Sequence, residues 1–292
     1  MMSAAEAATA EAAPGRAISR VLRMQRAEGR ASVMFSHTRT ADGADVTTLA
    51  RLAQSGSAKI RLPKVYDGVP VAVLLNTAGG ITGGDRLSFA ATLTSGCHAV
   101  ITTQAAERAY RSQSGAGEVH NAVAAGDQAT VEWLPQETML FEHSHLDRSL
   151  TVDLSGSARF IGLEMVVLGR EAMGETVTTC CFRDAWRIRR DGRLVYADTV
   201  RFGPDMAMLD HLATARGARA FATFVDCGPQ AEGRLVQARD LVAALPVRAS
   251  VSAWNGQLVA RFLSPGSRAL RDSLITFLEA YRGASLPRVW HC

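Results

Sequence analysis

The feature that most constrains this fold is a series of short apolar runs between small polar turns, from about residue 69 to residue 200. Residues 86–94 carry their apolar side chains at every second position, and the turn at residues 94–97 leads into the next run. Period-two runs spaced at roughly 8–12 residues are typical of β-sandwiches, barrels and solenoids. We therefore predict a mainly β fold of stacked strands, solenoid-like or sandwich-like, with no crossover helices between them.

The last third of the chain mixes helical and strand patterns. Helical spacing of apolar residues predicts three helices, at residues 205–216, 234–245 and 267–281. Residues 247–254 and 257–262 indicate strands around an Asn255-Gly256 turn, and Asp191-Gly192 suits a two-residue hairpin turn. We predict a disordered tail at residues 1–15, followed at residues 16–292 by a single β-rich domain with helices in its C-terminal third.

Composition indicates a soluble, cytoplasmic protein. Of the 292 residues, 47% are hydrophobic and 21% are charged, and the longest uncharged stretch, residues 69–84, contains four glycines. A membrane-spanning helix needs about 20 predominantly apolar residues, so none is predicted. Residues 1–15 lack the apolar core of a secretory signal. Five cysteines without a C-x-x-C pair make neither a disulfide framework nor a zinc knuckle, which fits a reducing compartment.

The basic excess is concentrated in one hairpin. The chain has a formal net charge of +4, and residues 183–201 hold six arginines against three aspartates. Arginines beside Trp186 and Tyr196 have the composition of a nucleic-acid patch. The total excess is small, however, and alternation places Arg187 and Arg189 on one solvated strand face. We therefore predict no nucleic-acid partner and favour a protein with an acidic surface.

A glycine-rich segment spans Asn76 to Asp85 and reads NTAGGITGGD. A phosphate-binding P-loop needs lysine followed by serine or threonine, whereas this loop ends in Asp85-Arg86. A dinucleotide-binding loop needs a following helix, whereas a strand pattern follows here. The glycines are therefore expected to supply tight turns and close packing at strand ends.

Two further arrangements leave alternatives open. His143 and His145 would share one face of a strand, where they form either half of a metal site or a solvated strand end. Two groups of carboxylates, Glu132 with Glu137 and Glu164 with Glu171 and Glu175, allow an autonomous β-sandwich hydrolase with paired acid and base. That reading depends on proximity in space, and the sequence contains no G-x-S-x-G nucleophile motif.

Four further segments, together with the glycine-rich loop, carry a specific resemblance. They are residues 102–105 (TTQA) with 110–112 (YRS), residues 132–138 (EWLPQET) with Phe141, residues 169–175 (GREAMGE) and residues 287–290 (PRVW). In this order and spacing, the chain resembles the urease accessory protein family UreD, called UreH in some organisms. No single block would be specific alone.

The resemblance implies a nickel-insertion chaperone and not an enzyme. It implies a complex with UreF and, through UreF, with the GTPase UreG, which docks on the urease apoprotein. It also implies a β-rich fold, no tightly bound cofactor, and nickel that passes transiently along an internal route lined by polar and acidic groups. The carboxylates that this implies as candidates are Asp85, Glu137, Glu164, Glu171 and Glu175. His143 and His145 depart from the family pattern and are not expected to carry the shared function.

Overall fold

The computed structural model describes residues 26–39, 45–66 and 68–291, which form two β-sheets and two α-helices. The strands are β1 (Glu28–Arg39), β2 (Asp45–Gly56), β3 (Ala58–Arg61), β4 (Val71–Asn76), β5 (Arg86–Leu93), β6 (His98–Thr103), β7 (Glu107–Ala109), β8 (Gly117–Ala125), β9 (Thr130–Leu134), β10 (Thr138–Leu140), β11 (His145–Leu154), β12 (Arg159–Leu168), β13 (Cys181–Arg190), β14 (Arg193–Phe202), β15 (Ala220–Cys227), β16 (Arg248–Trp254) and β17 (Gln257–Ser264). The helices are α1 (Leu235–Ala243) and α2 (Ser267–Arg282).

The chain winds as a solenoid from β4 to β13. Main strands alternate between the sheets, so that β5, β8, β11 and β13 pair in parallel in one sheet. Strands β4, β6, β9 and β12 pair in parallel in the other. The first sheet has the order β14-β13-β11-β8-β5-β1-β2, and the second has β16-β17-β15-β12-β9-β6-β4-β3. The predicted mainly β fold of stacked strands is confirmed.

Period-two alternation produces the core between the sheets. In β5, Leu87, Phe89, Ala91 and Leu93 are buried, while their neighbours are more accessible. Strand β12 is buried on both faces because the second sheet is covered on its outer side as well. A strand covered on both faces favours a continuous apolar run, as β12 has.

The outer core lies between the second sheet and the C-terminal segment. Helix α2 buries a stripe of apolar residues at helical spacing against this sheet, as predicted: Leu270, Leu274, Phe277, Leu278 and Tyr281. Trp290 packs beside it and donates from Nε1 to Thr102 Oγ1 and to the Leu134 carbonyl oxygen, both at 3.2 Å. The molecule therefore has three layers, two sheets and a partial helical cover.

The hairpin and turn predictions hold in part. Asp191 and Gly192 have φ of 49° and 77°, the positive values that a two-residue hairpin turn requires. The predicted strands around Asn255-Gly256 are confirmed as β16 and β17. The helix predicted at residues 205–216 is wrong, because only a 3₁₀ turn over Met206–Asp210 forms. Met206 and Leu209 are buried there, whereas Leu212 is 77% exposed, so a longer helix would have no apolar face to bury.

The predicted tail and the predicted domain boundaries concern the ends of the chain. The disordered tail predicted at residues 1–15 lies outside the described residues. The single domain predicted for residues 16–292 stays a prediction. Within the described part of the chain, neither helix combines the length and the hydropathy that a bilayer crossing requires.

One buried acid joins the solenoid to α2. Asp226 is fully buried, is bound by Arg159 at 3.0 and 2.6 Å, and accepts a 2.7 Å hydrogen bond from the Tyr281 hydroxyl. We expect Tyr281→Phe to lower the free energy of unfolding by about 1.5–3 kcal/mol, the range for a hydrogen bond to a charged group. Chemical denaturation measures this. Tyr110→Phe is the control, because its half-exposed hydroxyl makes only a 3.4 Å bond; equal effects would contradict the assignment.

Candidate functional site

Asp85 and Glu137 make local structural contacts. Asp85 is buried in the glycine-rich loop, where its two oxygens accept 2.8 Å hydrogen bonds from the amides of Ala27 and Thr82. Glu137 lies 2.6 Å from the Nη1 atom of Arg271 on α2. Both carboxylates therefore hold loops or helices in place, and neither lines the internal space between the sheets.

Glu171 and Glu175 lie in the loop after β12. Glu171 is exposed and accepts hydrogen bonds from the amide and hydroxyl of Ser267, the first residue of α2. Glu175 lies 2.8 Å from Arg170 Nε and accepts from the amide of Glu142. The hydrogen bond from the Arg170 guanidinium is the main cause that holds the pKa of Glu175 below its usual range, and the Glu142 amide adds to this effect.

Glu164 lies between the two sheets in a cluster that we call the lumen triad: Arg148, Glu164 and Asp184. Arg148 Nη1 is 2.8 Å from Glu164 Oε2, and Arg148 Nη2 is 2.9 Å from Asp184 Oδ2. All three side chains are at least nine-tenths buried. They point inward because β11, β12 and β13 place alternate residues in the core.

The lumen triad carries an excess of negative charge. Two carboxylates share one guanidinium, so a fully ionised triad has a net charge of −1. Burial raises the pKa of Glu164, the Asp184 charge adds to that rise, and Arg148 opposes it. Indole nitrogens of Trp133 and Trp186 donate to Glu164 and Asp184 at 3.3 Å each. The arrangement favours uptake of a proton or a cation.

A cavity of about 250 Å³ lies beside the triad, between the sheets. Glu164, Arg148, Glu107 and Asn121 contribute its inner polar lining, and Arg108 is exposed. Liquid water occupies about 30 Å³ per molecule, so the space accommodates several waters or a hydrated metal ion. A second cavity of about 20 Å³ lies on the far side of Glu164, against Asp184. Glu164 therefore lines both spaces.

Two buried oxygens at these cavities have neither a hydrogen-bond donor nor an ion-pair contact among the described residues, whereas Glu164 Oε2 has the ion pair with Arg148. They are Asn121 Oδ1 and Asp184 Oδ1. Buried polar atoms are nearly always satisfied by protein or by ordered water. These oxygens are therefore available to accept hydrogen bonds from water or to bind a cation within the lumen.

Glu107 was missed as a site residue by sequence reasoning, although it lines the larger cavity. Desolvation raises the pKa of its carboxyl to about 7. Hydrogen bonds from the Arg108 amide and the Asn76 side chain lower this pKa, but by less than desolvation raises it. Arg148 and Asp184 were missed as well. Each is a charged residue at an inward-facing position between apolar neighbours, and that interruption of the period-two pattern was available in the sequence.

His143 and His145 do not lie together on one strand. His143 has a left-handed backbone with φ of 61°, because it closes the turn before β11, whereas His145 is the first residue of β11. Within residues 26–39, 45–66 and 68–291, no group of three His, Cys, Asp or Glu side chains is arranged to hold a metal ion. The described cysteines, Cys97, Cys180, Cys181 and Cys227, are free thiols.

The raised pKa of Glu107 predicts a pH dependence of stability. Its folded pKa of about 7 exceeds the ordinary 4.5, so the folded state binds more protons between these values. The contribution of Glu107 to stability should therefore fall as pH rises from 4.5 to about 7 and then level off. We expect Glu107→Gln to reduce that fall by roughly 1–2 kcal/mol, allowing for partial solvent access. Denaturation at pH 5, 6, 7 and 8 measures this, and an unchanged profile would contradict it.

Fold and site together define a two-sheet β-solenoid with a charged, buried lumen and a helical cover. Comparison with known proteins gives the family. The model of the UreD urease accessory protein family matches residues 27–291. This chain belongs to the UreD urease accessory protein family, which supports a role in urease maturation.

Curated relatives agree over nearly the whole chain. The urease accessory protein UreD of Rhizobium leguminosarum bv. trifolii (strain WSM2304) is 45% identical over 271 residues, covering 92% of this chain and 97% of that protein. The protein of the same name from Methylobacterium sp. (strain 4-46) is 46% identical over 276 residues, covering 92% and 96%. Urease accessory protein UreD 3 of Methylorubrum extorquens (strain PA1) is 43% identical, covering 92% and 91%.

Proposed function

We propose that this chain is a non-catalytic chaperone that helps to insert nickel into the urease apoprotein. It acts in the cytoplasm in a complex with UreF and, through UreF, with the GTPase UreG, which supplies the nucleotide hydrolysis. Family membership supports the maturation role. The observation that carries the nickel step is the buried lumen, in which Glu164 lines both cavities and shares Arg148 with Asp184.

The donor set of the lumen suits transient passage of nickel. Carboxylate and amide oxygens are hard ligands that hold a divalent ion less firmly than thiolates do, so the ion leaves again. None of the described cysteines lines either cavity. A metal route therefore runs past oxygen atoms, and nickel is cargo in it.

We propose Glu164, together with Glu107, as the carboxylates that handle nickel. Both line the larger cavity, and burial raises the pKa of both. An approaching cation displaces a proton from such a group, and release of the cation allows it to return. Asp85, Glu137, Glu171 and Glu175 make the local contacts described above, so their role in the passage remains a prediction with no support from the cavities.

The alternative of an autonomous hydrolase needs two carboxylates that act on one substrate. Glu132 lies on the outer face, where it binds Arg282 and accepts from His98 at 2.8 Å. Glu137 binds Arg271 instead. These separate attachments do not favour an acid and base pair, and the accessory role is the better-supported one.

Co-purification tests the proposed assembly. The chain is co-expressed with a tag, together with UreF, UreG and the urease subunits, and each set is captured at physiological salt. We expect UreF and the urease apoprotein to be retained, and UreG to be retained only when UreF is present. Capture of neither UreF nor urease would contradict the proposal.

A further inference from the structure

The two sheets end unequally on the side of β14 and β16. Among the described strands, β14 is the last of the first sheet and pairs only with β13, whereas the second sheet continues through β17 to β16. The inward face of β16 therefore has no described strand opposite it. Its Ser250 and Ser252 are exposed, and Trp254 is 42% exposed.

A groove of about 320 Å³ lies between β14 and the inward face of β16, and we call it the edge groove. Its walls are Val195, Tyr196 and Ala197 of β14 on one side and Ser250, Ser252 and Trp254 of β16 on the other. At its base, Gln257 of β17 donates to the Val195 carbonyl oxygen at 3.2 Å. The groove has the position that one more strand of the first sheet would occupy.

No described strand pairs with the outer edge of β14, which is therefore suited to backbone pairing. Two of its backbone groups have side-chain partners: the Val195 carbonyl oxygen accepts from Gln257, and the Thr199 amide donates to Asp198. A register shift between Ile188 and Arg189 leaves Val195 without a cross-strand partner, and pairing with β13 is regular from Tyr196 to Phe202. An exposed edge strand presents unpaired amide and carbonyl groups and so accepts an additional strand. At about 3.4 Å per residue, the regular edge accommodates a segment of about seven residues.

The positive charge of the strands around the groove favours an acidic binding partner. Strands β14, β16 and β17 carry four arginines against one aspartate, and that aspartate, Asp198, is ion-paired with Arg261 at 2.8 Å. Of the four arginines, Arg261 lines the groove, whereas Arg193 and Arg201 are exposed at the two ends of β14, beside the groove and outside its lining. Leu194, which is 49% exposed, and Trp254 add apolar surface. Complementarity therefore favours acidic residues alternating with apolar ones.

From this geometry we propose that the edge groove binds an extended acidic segment of a partner protein as an added β-strand along β14. Backbone pairing supplies the register, Trp254 and Leu194 contact its apolar side chains, and Arg193 and Arg201 contact its carboxylates. The inference stands on the sheet edges and charges alone and does not depend on nickel transport.

Binding of designed peptides to the full chain tests the proposal. The probe is a fluorescent octapeptide of alternating glutamate and valine, and its comparison is the same peptide with lysine for glutamate. Fluorescence anisotropy at low salt should give at least about ten-fold tighter binding of the acidic peptide. Hydrogen exchange should show slower exchange of the amides at residues 196–202. Absence of saturable binding, equal affinity of the two peptides, or protection confined to another region would overturn the proposal.

Charge-reversal variants locate the site. R193E/R201E should weaken binding of the acidic peptide about ten-fold or more, and Trp254→Ala should weaken it without changing the preference for acid. The matched control is R30E/R51E, which makes the same charge change at exposed positions on β1 and β2, at the other end of the sheet. Equal losses in both double variants, or equally tight binding of an oligonucleotide of the same charge, would reduce the effect to non-specific attraction and overturn the proposal.

Discussion

Arg148→Met is expected to lower the free energy of unfolding by about 3–5 kcal/mol, the cost of breaking a buried ion pair by removing one partner. The substitution leaves the carboxylates of Glu164 and Asp184 buried without their shared cation. It also removes the 2.7 Å hydrogen bond from Arg148 Nη1 to Thr138 Oγ1. Denaturation followed by circular dichroism measures the loss, which should be larger at pH 8 than at pH 5, because burial raises the pKa of Glu164 and this carboxyl takes up a proton more readily at low pH.

The same two strands provide a matched control. Arg183 of β13 pairs with Asp147 of β11 at 2.9 Å, but on the solvent side, where both side chains are more than a third exposed. Exposed pairs contribute about 0–1 kcal/mol, so Arg183→Met should change stability little. Equal losses in the two variants would show that burial of the lumen triad is not what makes Arg148 important.

A triple variant separates loss of charge balance from loss of packing. If Arg148→Met leaves the lumen acids uncompensated, adding Glu164→Gln and Asp184→Asn should recover at least about half of the lost stability, since both buried charges are then absent. If the triple variant is as unstable as Arg148→Met, the loss of stability comes from lost packing of the arginine side chain.

Glu164→Gln is expected to reduce urease activation by about ten-fold or more while the chain remains folded and bound to its partners. Glutamine retains an oxygen for the Trp133 indole but has no charge with which to hold a cation in the lumen. Urease activity is measured in cells that co-express the variant with UreF, UreG and the urease subunits. Activity is normalised to the amount of chain captured with urease.

Glu171→Gln distinguishes the lumen from the surface candidates. Glu171 is exposed, and the described hydrogen bonds of its carboxylate are to Ser267 alone, so its variant should support activation within about two-fold of the original chain. Activation lost in Glu171→Gln and kept in Glu164→Gln would move the nickel route away from the lumen. A combined Glu107→Gln and Glu164→Gln variant should be at least as defective as Glu164→Gln alone.

Much of the fold was predictable because one buried face of each strand imposes a period of two. The alternation in β5 and the Asp191-Gly192 turn each specify local structure directly. Parallel pairing between strands that are two or three strands apart in the chain was not predictable, since the residues of a strand do not specify which strand pairs with it. Residues 205–216 show the limit of helical spacing, because Leu212 satisfies the pattern and still faces solvent.

The site was less predictable than the fold. Glu164 was among the candidates because of the family resemblance, and its inward position was readable from the apolar run around it. Arg148 and Asp184 interrupt apolar alternation in the same manner, between Leu146 and Leu150 and between Phe182 and Trp186. Their contact with Glu164 depends on how the two sheets face each other, which only the three-dimensional structure gives.

The nickel content of purified urease shows whether nickel passes through the lumen of this chain. Urease is matured with the original chain, with the Glu107→Gln and Glu164→Gln double variant, or without the chain, and nickel is measured by mass spectrometry. We expect full loading with the original chain and a low content in the other two samples, with the double variant still captured on urease. Full nickel loading by a folded, urease-bound double variant would contradict passage through the lumen, and full loading without the chain would contradict the chaperone role itself.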